Sequence, residues 1–359
     1  MQMQEKVIDR LVEFPYLASL AASPDQTMLA WVRGGGPGAF EVCVVNTETK
    51  SNHCTFTYPA AKYPPVCTFI GNERLAVTGH RTDELKLSNV SLFDTKTGSC
   101  VSQIDIPDCY FSYPECNPCA QELAGESGLG GLIIVGIAND SLSPRRVNAG
   151  QIYRPGPKYS PGGELYYLHH YALHVLRNNA PLRLMDGDHC ICFGDKSDIY
   201  CGGGYSDRSG PSKINCYDLT KGSTRAIDWG REPVDYITSA GPGQILVGSG
   251  SSSGYDSNMS VCLVDVASER RMWSCQFAGM RTGINPLVLA IPDGNLLITQ
   301  SANDVNVLSL QQGQLLKTLQ PKAKDERIMA IHLHKRNEIA VAIIPWNSAP
   351  SRIVVYGIR

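Results

Sequence analysis

Two short segments carry histidines at spacings that could support metal or acid–base chemistry. His169, His170 and His174 fall within LHHYALH, and His332 and His334 alternate in HLH. Alternate residues of a strand point to the same face, so His332 and His334 could both reach one metal ion. No conventional spacing supplies a third or fourth ligand, and such histidines are more often hydrogen-bonded within a fold. His332 and His334 are therefore weak metal candidates, and we predict no metal centre.

A second candidate is the CNPC motif, in which Cys116 and Cys119 have the spacing of half a zinc knuckle or of a redox pair. A redox pair normally opens a helix, because the helix N-terminus lowers the thiol pKa, whereas this motif lies in a proline-rich stretch. Cys116 and Cys119 are thus weak metal candidates, and we predict no cofactor. The chain has 13 cysteines, an odd number, and its start lacks the apolar core of a signal peptide. An odd number of cysteines in a chain without a recognisable signal peptide favours reduced thiols and a cytoplasmic protein.

The composition and the remaining motifs exclude several classes of function. The segment GSGSSSG at 248–254 contains the letters of a serine nucleophile elbow, but that elbow needs a helix after its turn and no helix pattern follows. No phosphate-binding or dinucleotide fingerprint is present. The formal net charge is −2 without long runs of either sign, and no apolar stretch approaches the roughly 20 residues of a membrane span. We therefore predict a non-enzyme, with neither nucleic acid nor a membrane as partner.

The short strands predicted along the chain follow a repeated pattern. From Leu17, LASLAASPDQTMLAWVRGGGPGAFEVCVVNTETK reads as three short strands separated by a Ser-Pro-Asp turn and a glycine-rich loop. The same order recurs from Lys158 and from Leu287. Other copies share an aspartate at the end of the third strand, followed by turn residues, at Asp94, Asp218 and Asp265. A period of about 45 residues built from four short strands is the signature of a β-propeller blade.

We predict an all-β chain, a single β-propeller domain spanning 1–359 with about seven four-stranded blades, and eight as the alternative. The two counts differ over 109–186, which reads as one irregular blade or as two. Segment 6–14 has no blade of its own, and we place it as the outer strand that closes the ring, since this hides a sheet edge. The expected blades are 17–57, 65–107, 109–186, 188–230, 232–280, 283–320 and 326–359.

The repeats resemble those of WD40-type propellers, and the Ser-Pro turns at 23–25 and 160–162 are equally similar to the TolB-like variety. Phe-Asp, Tyr-Asp and Val-Asp stand where the WD40 motif has Trp-Asp, and the Gly-His pair occurs once, at Gly79-His80. By this resemblance, the loops between the second and third strands of the blades share one face beside the central channel. On that face they would present the candidate binding residues Arg33, Arg81, Tyr205, Asp207, Arg208, Tyr255, Asp256 and Trp346.

The sequence thus favours a non-catalytic, WD40-like scaffold that binds a protein or peptide on this loop-rich face, in a multisubunit complex for example. These loops are longer than a hairpin requires, and they carry an aromatic residue beside a polar one. Because a rigid ring holds them, little conformational entropy is lost when a partner docks. The alternative is a propeller enzyme, or a protein that binds a small ligand or a metal at the mouth of the channel.

Overall fold

The computed structural model describes most of the chain, and all statements on structure below refer to that part. The described residues are 3–11, 16–34, 39–49, 51–59, 65–80, 87–119, 121–128, 130–150, 152, 156–194, 197–203, 212–250, 259–277, 288–291, 295–300, 304–320, 326–335, 338–345 and 351–358. They contain 32 strands and no helix, and hence no helical segment that is long and apolar enough to cross a membrane.

The strands form eight four-stranded sheets, seven of which follow the order of the chain. Sheets 1 to 4 are β2 (Tyr16–Ala22), β3 (Met28–Gly34), β4 (Ala39–Asn46) and β5 (Ser51–Pro59); β6 (Val66–Ile70), β7 (Arg74–His80), β8 (Leu87–Asp94) and β9 (Cys100–Pro107); β10 (Phe111–Cys116), β11 (Glu122–Ser127), β12 (Leu132–Ala138) and β13 (Ser141–Val147); β14 (Lys158–Tyr159), β15 (Leu165–His169), β16 (Ala172–Arg177) and β17 (Ala180–Asp186).

Sheets 5 to 7 continue the pattern, and sheet 8 contains the two ends of the described chain. They are β18 (Asp188–Phe193), β19 (Asp198–Gly203), β20 (Ser212–Asp218) and β21 (Ser223–Gly230); β22 (Tyr236–Gly241), β23 (Gln244–Gly250), β24 (Met259–Asp265) and β25 (Arg270–Phe277); β26 (Val288–Ile291), β27 (Leu296–Gln300), β28 (Val305–Ser309) and β29 (Leu315–Leu319); β30 (Glu326–Lys335), β31 (Glu338–Pro345), β32 (Ser351–Ile358) and β1 (Met3–Leu11).

The first strand of the chain supplies the fourth strand of sheet 8. β1 runs antiparallel to β32, with Met3 opposite Ile358 and Leu11 opposite Ser351. The sequence analysis placed this strand at 6–14, whereas β1 covers 3–11, and 12–15 lie outside the described residues. Segment 109–186, expected as one irregular blade, contains two separate sheets, β10–β13 and β14–β17. The described residues therefore form eight sheets, the number that the sequence analysis kept as its alternative to seven.

The middle strands bury both of their faces, which explains why their sequences are almost continuously apolar. One set of alternate residues in sheet 1 packs against sheet 2: Ala30, Val32, Val42 and Val44. The other set packs against sheet 8: Leu29, Trp31, Cys43 and Val45. Sheet 6 repeats the arrangement, with Val247 and Cys262 facing sheet 5 while Leu246 and Leu263 face sheet 7. No single sheet could hide both faces, so each depends on its neighbours.

The chain divides into two compact units. The first comprises 1–152, 156–165 and 323–359, and the second comprises 153–155 and 166–322. In the first unit, β2 lies beside β6 and β30, and β6 lies beside β10; in the second, β18 lies beside β22 and β22 beside β26. First strands of successive sheets are thus neighbours within each unit.

Candidate functional site

The loops that the sequence analysis proposed for binding do connect second and third strands, namely β3–β4, β7–β8, β19–β20, β23–β24 and β31–β32. Most of their candidate residues lie outside the described residues: Arg81, Tyr205, Asp207, Arg208, Tyr255, Asp256 and Trp346. Arg33 is described and lies near the end of β3, where its Nε donates to Glu41 Oε2 over 2.6 Å. This ion pair joins two strands of sheet 1, and the binding role of the eight residues stays a prediction.

Near the start of the glycine-rich segment CGGGYSDRSG, close packing requires a glycine at position 202. Gly202 lies in β19, and a Cβ atom at this position would be 2.8 Å from the carbonyl oxygen of Val234. Its N–H also points to Cys190 Sγ at 3.3 Å. The close approach of the Val234 backbone explains this glycine without any ligand.

The weak metal candidates do not form a metal centre in the described part of the chain. Within that part, no group of three His, Cys, Asp or Glu side chains is arranged to hold an ion. His332 and His334 belong to β30, but their side chains lie outside what the structure describes. Cys116 is partly buried, and burial together with Glu115 raises the pKa of its thiol to about 12. Cys119 is exposed in the turn after β10.

A groove of about 370 Å³ runs along the first strands β2, β6 and β10 of the first unit. Ser19, Cys67, Glu115 and Cys116 are among the residues that line it. Burial raises the pKa of the Cys67 thiol to about 11, so this thiol, like that of Cys116, is protonated at neutral pH. Glu115 pairs with Lys158, with 2.8 Å between Oε2 and Nζ. These groups do not make an activated nucleophile.

His80 of the Gly-His pair takes part in a buried hydrogen-bond network around Ser88. Ser88 Oγ donates to the Cys109 carbonyl and accepts from the Phe111 N–H, each over 2.8 Å. Since the hydroxyl has one proton, His80 Nδ1–H must donate the third hydrogen bond, over 3.0 Å. Burial lowers the pKa of His80, and its ring stacks on Tyr110 at 3.9 Å. Ser88 is wholly buried and its hydroxyl makes all three of these hydrogen bonds, so it is not available as a nucleophile.

One described connection of the second-to-third class does carry exposed side chains. His170 and Tyr171 form the whole connection between β15 and β16, and we call this pair the His-Tyr turn. Tyr171 is 46% exposed and His170 is exposed. Both have positive φ, 46° and 56°, which is the pattern of the type I′ turn that joins tightly paired strands.

The residue types of this turn are unfavourable for its conformation. A type I′ turn prefers Asn and Gly, because a side chain at positive φ crowds the following carbonyl at a cost of about 1–2 kcal/mol per residue. The next hairpin of the same sheet obeys that preference, with Asn178 and Asn179 at φ of 51° and 62°. Tyr171 is therefore held in a conformation that its neighbouring turn achieves with ordinary turn residues.

Two more histidines lie against the turn. The ring centroids of His169 and His170 are 3.9 Å apart, and those of His169 and His174 are 5.8 Å apart; we call the three the histidine cluster. His174 stacks on Tyr167 at 5.4 Å with 16° between the ring planes. Neither His174 Nδ1 nor the Tyr167 hydroxyl, both buried, has a hydrogen-bond partner among the described residues. Burying unpaired polar atoms costs stability, so packing alone does not account for them.

Hydrogen bonds hold the backbone of the turn in place. The carbonyl of Tyr171 accepts from the Gly187 N–H over 3.0 Å. Gly187 cannot carry a side chain here, because a Cβ atom would be 2.9 Å from Cys201 Cβ. From sheet 5, Asn215 Nδ2 donates to the carbonyl of Asp186 over 2.9 Å. The backbone of the turn is thus held in a fixed position, and the turn exposes two ring side chains, those of His170 and Tyr171.

The charges around the turn are few. Arg183 stands opposite His174 in the β16–β17 register, and its guanidinium pairs with Asp186. Burial lowers the pKa of His174, with His169 and Arg183 acting in the same direction, while a hydrogen bond to the His169 backbone opposes them. Burial raises the pKa of Tyr167 to about 12. Around neutral pH, His174 and Tyr167 are both uncharged.

Sequence reasoning singled out the three histidines but missed Tyr171. The strands on either side were recognised, as ELYYLHH and ALHVL, yet no Gly or Asn marks the turn between them. The signal that could have identified Tyr171 is the short distance in sequence between the two strands. When two apolar strands follow each other without Gly or Asn between them, bulky residues must form the turn.

Comparison with known proteins supports the architecture. No family model and no curated relative matches the chain. Among solved structures, the propeller of Dos1 matches with a TM-score of 0.65 and 10% sequence identity, over 99% of this chain and 94% of that one. This likeness shows a β-propeller fold and, at so low an identity, the fold alone.

Proposed function

We propose that this chain is a non-catalytic interaction scaffold, which binds a protein or peptide through the connections between second and third strands. The observation that carries the proposal is Tyr171, an exposed aromatic residue kept at positive φ where the chain elsewhere uses Asn-Asn. Backbone strain of this kind persists when the strained residue serves a function and the surrounding structure compensates for it. Tyrosine is also among the residues that contribute most to binding at protein interfaces.

In the propeller that we propose, β1 serves as the fourth strand of the last blade by pairing with β32. A scaffold of packed sheets holds its connecting turns in fixed positions, so a partner meets a preorganised surface.

The cysteines support a reducing compartment such as the cytoplasm. Eight of the 13 are buried, where they serve as small apolar core residues. We expect the partner to be a cytoplasmic protein or a complex of several subunits.

The test replaces the His-Tyr turn by the residues of the neighbouring turn, His170→Asn with Tyr171→Asn. We expect the free energy of unfolding to stay the same or rise by about 1 kcal/mol, because Asn accepts positive φ more readily. Affinity capture from extracts of the source organism, read by mass spectrometry, should lose the proteins that the natural sequence enriches.

Leu182→Ala is the matched control, because Leu182 lies on β17 of the same sheet and is also 46% exposed. This variant should capture the same proteins as the natural chain. If no protein is enriched over the Asn-Asn variant, or if Leu182→Ala loses the same proteins, the His-Tyr turn is not the docking site.

A further inference from the structure

Three of the seven large apolar side chains that are exposed in the described part of the chain lie on the last strands of sheets 6 and 7. Met272 of β25 is 56% exposed, and Leu315 and Leu316 of β29 are 54% and 44% exposed. We call these three residues the apolar edge. Both sheets belong to the second compact unit. Neighbouring apolar side chains that remain in water mark an interaction surface.

Trp273 brings the two parts of the apolar edge together. It directly follows Met272, and its Nε1–H donates to the carbonyl of Leu310 over 2.8 Å. The turn between β28 and β29 lies against its ring, since a Cβ atom at Gly313 would be 2.5 Å from Trp273 Cδ2. Gly313 is two residues before Leu315. β25 therefore lies beside the start of β29, and the exposed residues of both strands belong to one surface.

A bulge in each of these strands decides how a partner could dock. In β25 the residues on either side of Met272 pair with consecutive residues of β24, which leaves Met272 as the extra residue. Leu316 has the same place in β29. A bulge interrupts the row of backbone groups with which an added strand would pair. A partner on the apolar edge must therefore use its side chains, as an amphipathic helix does.

The charges on the two strands have one sign. β25 and β29 contain three basic residues, Arg270, Arg271 and Lys317, and no acidic residue. Two acidic residues near them, Glu232 and Glu269, each pair with an arginine, which is Arg271 in the case of Glu232. Neither Arg270 nor Lys317 has an ion pair within the described residues. The charge that complements this surface is therefore negative.

We propose that the apolar edge docks an acidic amphipathic helix of a partner protein. Apolar side chains of that helix contact Met272 and Leu315, and its carboxylates pair with Arg270 and Lys317. Methionine adapts its shape to a helix partner because its side chain is unbranched and flexible. This surface lies apart in sequence from the His-Tyr turn, so it adds a second docking surface to the proposed scaffold.

The experiment measures the fluorescence anisotropy of a labelled helical peptide mixed with the full chain. The peptide consists of Glu, Ala and Leu, with Leu at helical spacing on one face. A counterpart has Gln in place of every Glu. We expect the counterpart to bind about fivefold more weakly, because it cannot form the exposed ion pairs.

Met272→Ser combined with Leu315→Ser should weaken binding of the Glu peptide about tenfold, because apolar area is no longer buried on docking. Val101→Ser combined with Leu182→Ser is the matched control, since both residues are exposed on the last strands of sheets 2 and 4. The control should bind as the natural chain does. Urea denaturation checks that both variants fold, as expected for changes at exposed positions.

Arg270→Gln combined with Lys317→Gln should weaken binding of the Glu peptide about fivefold and leave binding of the Gln peptide unchanged. Lys213→Gln removes an exposed cation from β20 of sheet 5 and should change neither affinity.

The inference is overturned if the Glu and Gln peptides bind equally, or if Met272→Ser with Leu315→Ser keeps the full affinity. It is also overturned if hexauridylate RNA, or vesicles of phosphatidylserine and phosphatidylcholine, bind the natural chain more tightly than the Glu peptide does. The scaffold proposal at the His-Tyr turn is tested by other residues, so either proposal can fail while the other stands.

Discussion

At the scale of single residues, close contacts between neighbouring sheets explain several glycines that look like loop residues in the sequence. Tyr58 of sheet 1 is wholly buried, and its ring lies against Gly79 of sheet 2. Its hydroxyl donates to Asn89 Oδ1 over 2.9 Å, and Asn89 Nδ2 donates to Asp105 Oδ1 over 2.7 Å. Gly79 therefore makes room for the aromatic ring at one end of this polar network.

Gly79→Ala should lower the free energy of unfolding by about 1–3 kcal/mol, since the added Cβ would lie 2.9 Å from Tyr58 Cε1 and 3.3 Å from Pro65 Cβ. Urea denaturation measures the change. Gly162→Ala is the control, because its nearest neighbour would be Ser160 Oγ at 3.8 Å, and we expect a change below about 0.5 kcal/mol. Equal stability of the two variants would show that Tyr58 does not pack as described.

The turns after the third strands could be predicted from the sequence, whereas the contact between Tyr58 and Gly79 could not. Asp94 and Asp218 end third strands as predicted, and each carboxylate accepts hydrogen bonds from backbone N–H groups two and three residues later. Such bonds are local, so residue types at fixed offsets predict them. Tyr58, which contacts Gly79, is 21 positions away in the sequence and lies in another sheet. The residue types around Gly79 therefore do not predict this contact.

At the scale of elements, Arg74 links two neighbouring sheets. Arg74 of β7 holds Asp94 of its own sheet over 2.7 Å and binds both carboxylate oxygens of Asp140, in the turn of sheet 3, over 2.8 and 3.0 Å. Hydrogen bonds from Arg74 lower the pKa of Asp140. The Thr97 N–H is the main cause of the lowered pKa of Asp94, with Arg74 adding to it.

Arg74→Met should destabilise the protein in a way that depends on pH. Because both carboxyl pKa values are lowered in the fold, the stability that they provide is present above about pH 4 and is lost as the pH falls further. The urea midpoint of Arg74→Met should be below that of the natural chain at pH 7, and the difference should shrink near pH 3. Lys96→Met removes an exposed pair with Glu73 and should change little. A difference that is as large at pH 3 as at pH 7 would contradict the carboxylate account.

The sheets at 109–186 were hard to separate in the sequence for a physical reason. Sheet 3 has prolines in its two outermost strands, Pro114 in β10 and Pro144 in β13, and proline lowers the expectation of a strand. Both strands are at sheet edges, where a missing N–H is tolerated. The first strand of sheet 4 has only two residues, Lys158 and Tyr159, which is too short for a periodic signal.

At the scale of the whole molecule, the first described strand pairs with the last, β1 with β32. Without β1, the apolar strand β32 would present a bare edge, which invites aggregation. With it, sheet 8 has the same four strands as the others, and β31 and β32 bury Ala340, Ile353 and Val355 against sheet 1. The sequence predicted this arrangement because the last repeat has three strands and the opening segment has one.

Hydrogen–deuterium exchange of the full chain reports on the pairing of β1 with β32. We expect the amides of 3–11 that pair with β32 to exchange slowly, together with those of 351–358, and a chain lacking 1–11 to lose protection in 351–358. A chain lacking only Met1 and Gln2, which precede β1, should match the natural protein. Exchange of 3–11 at the rate of an unstructured peptide, with 351–358 protected regardless, would contradict the pairing of β1 with β32.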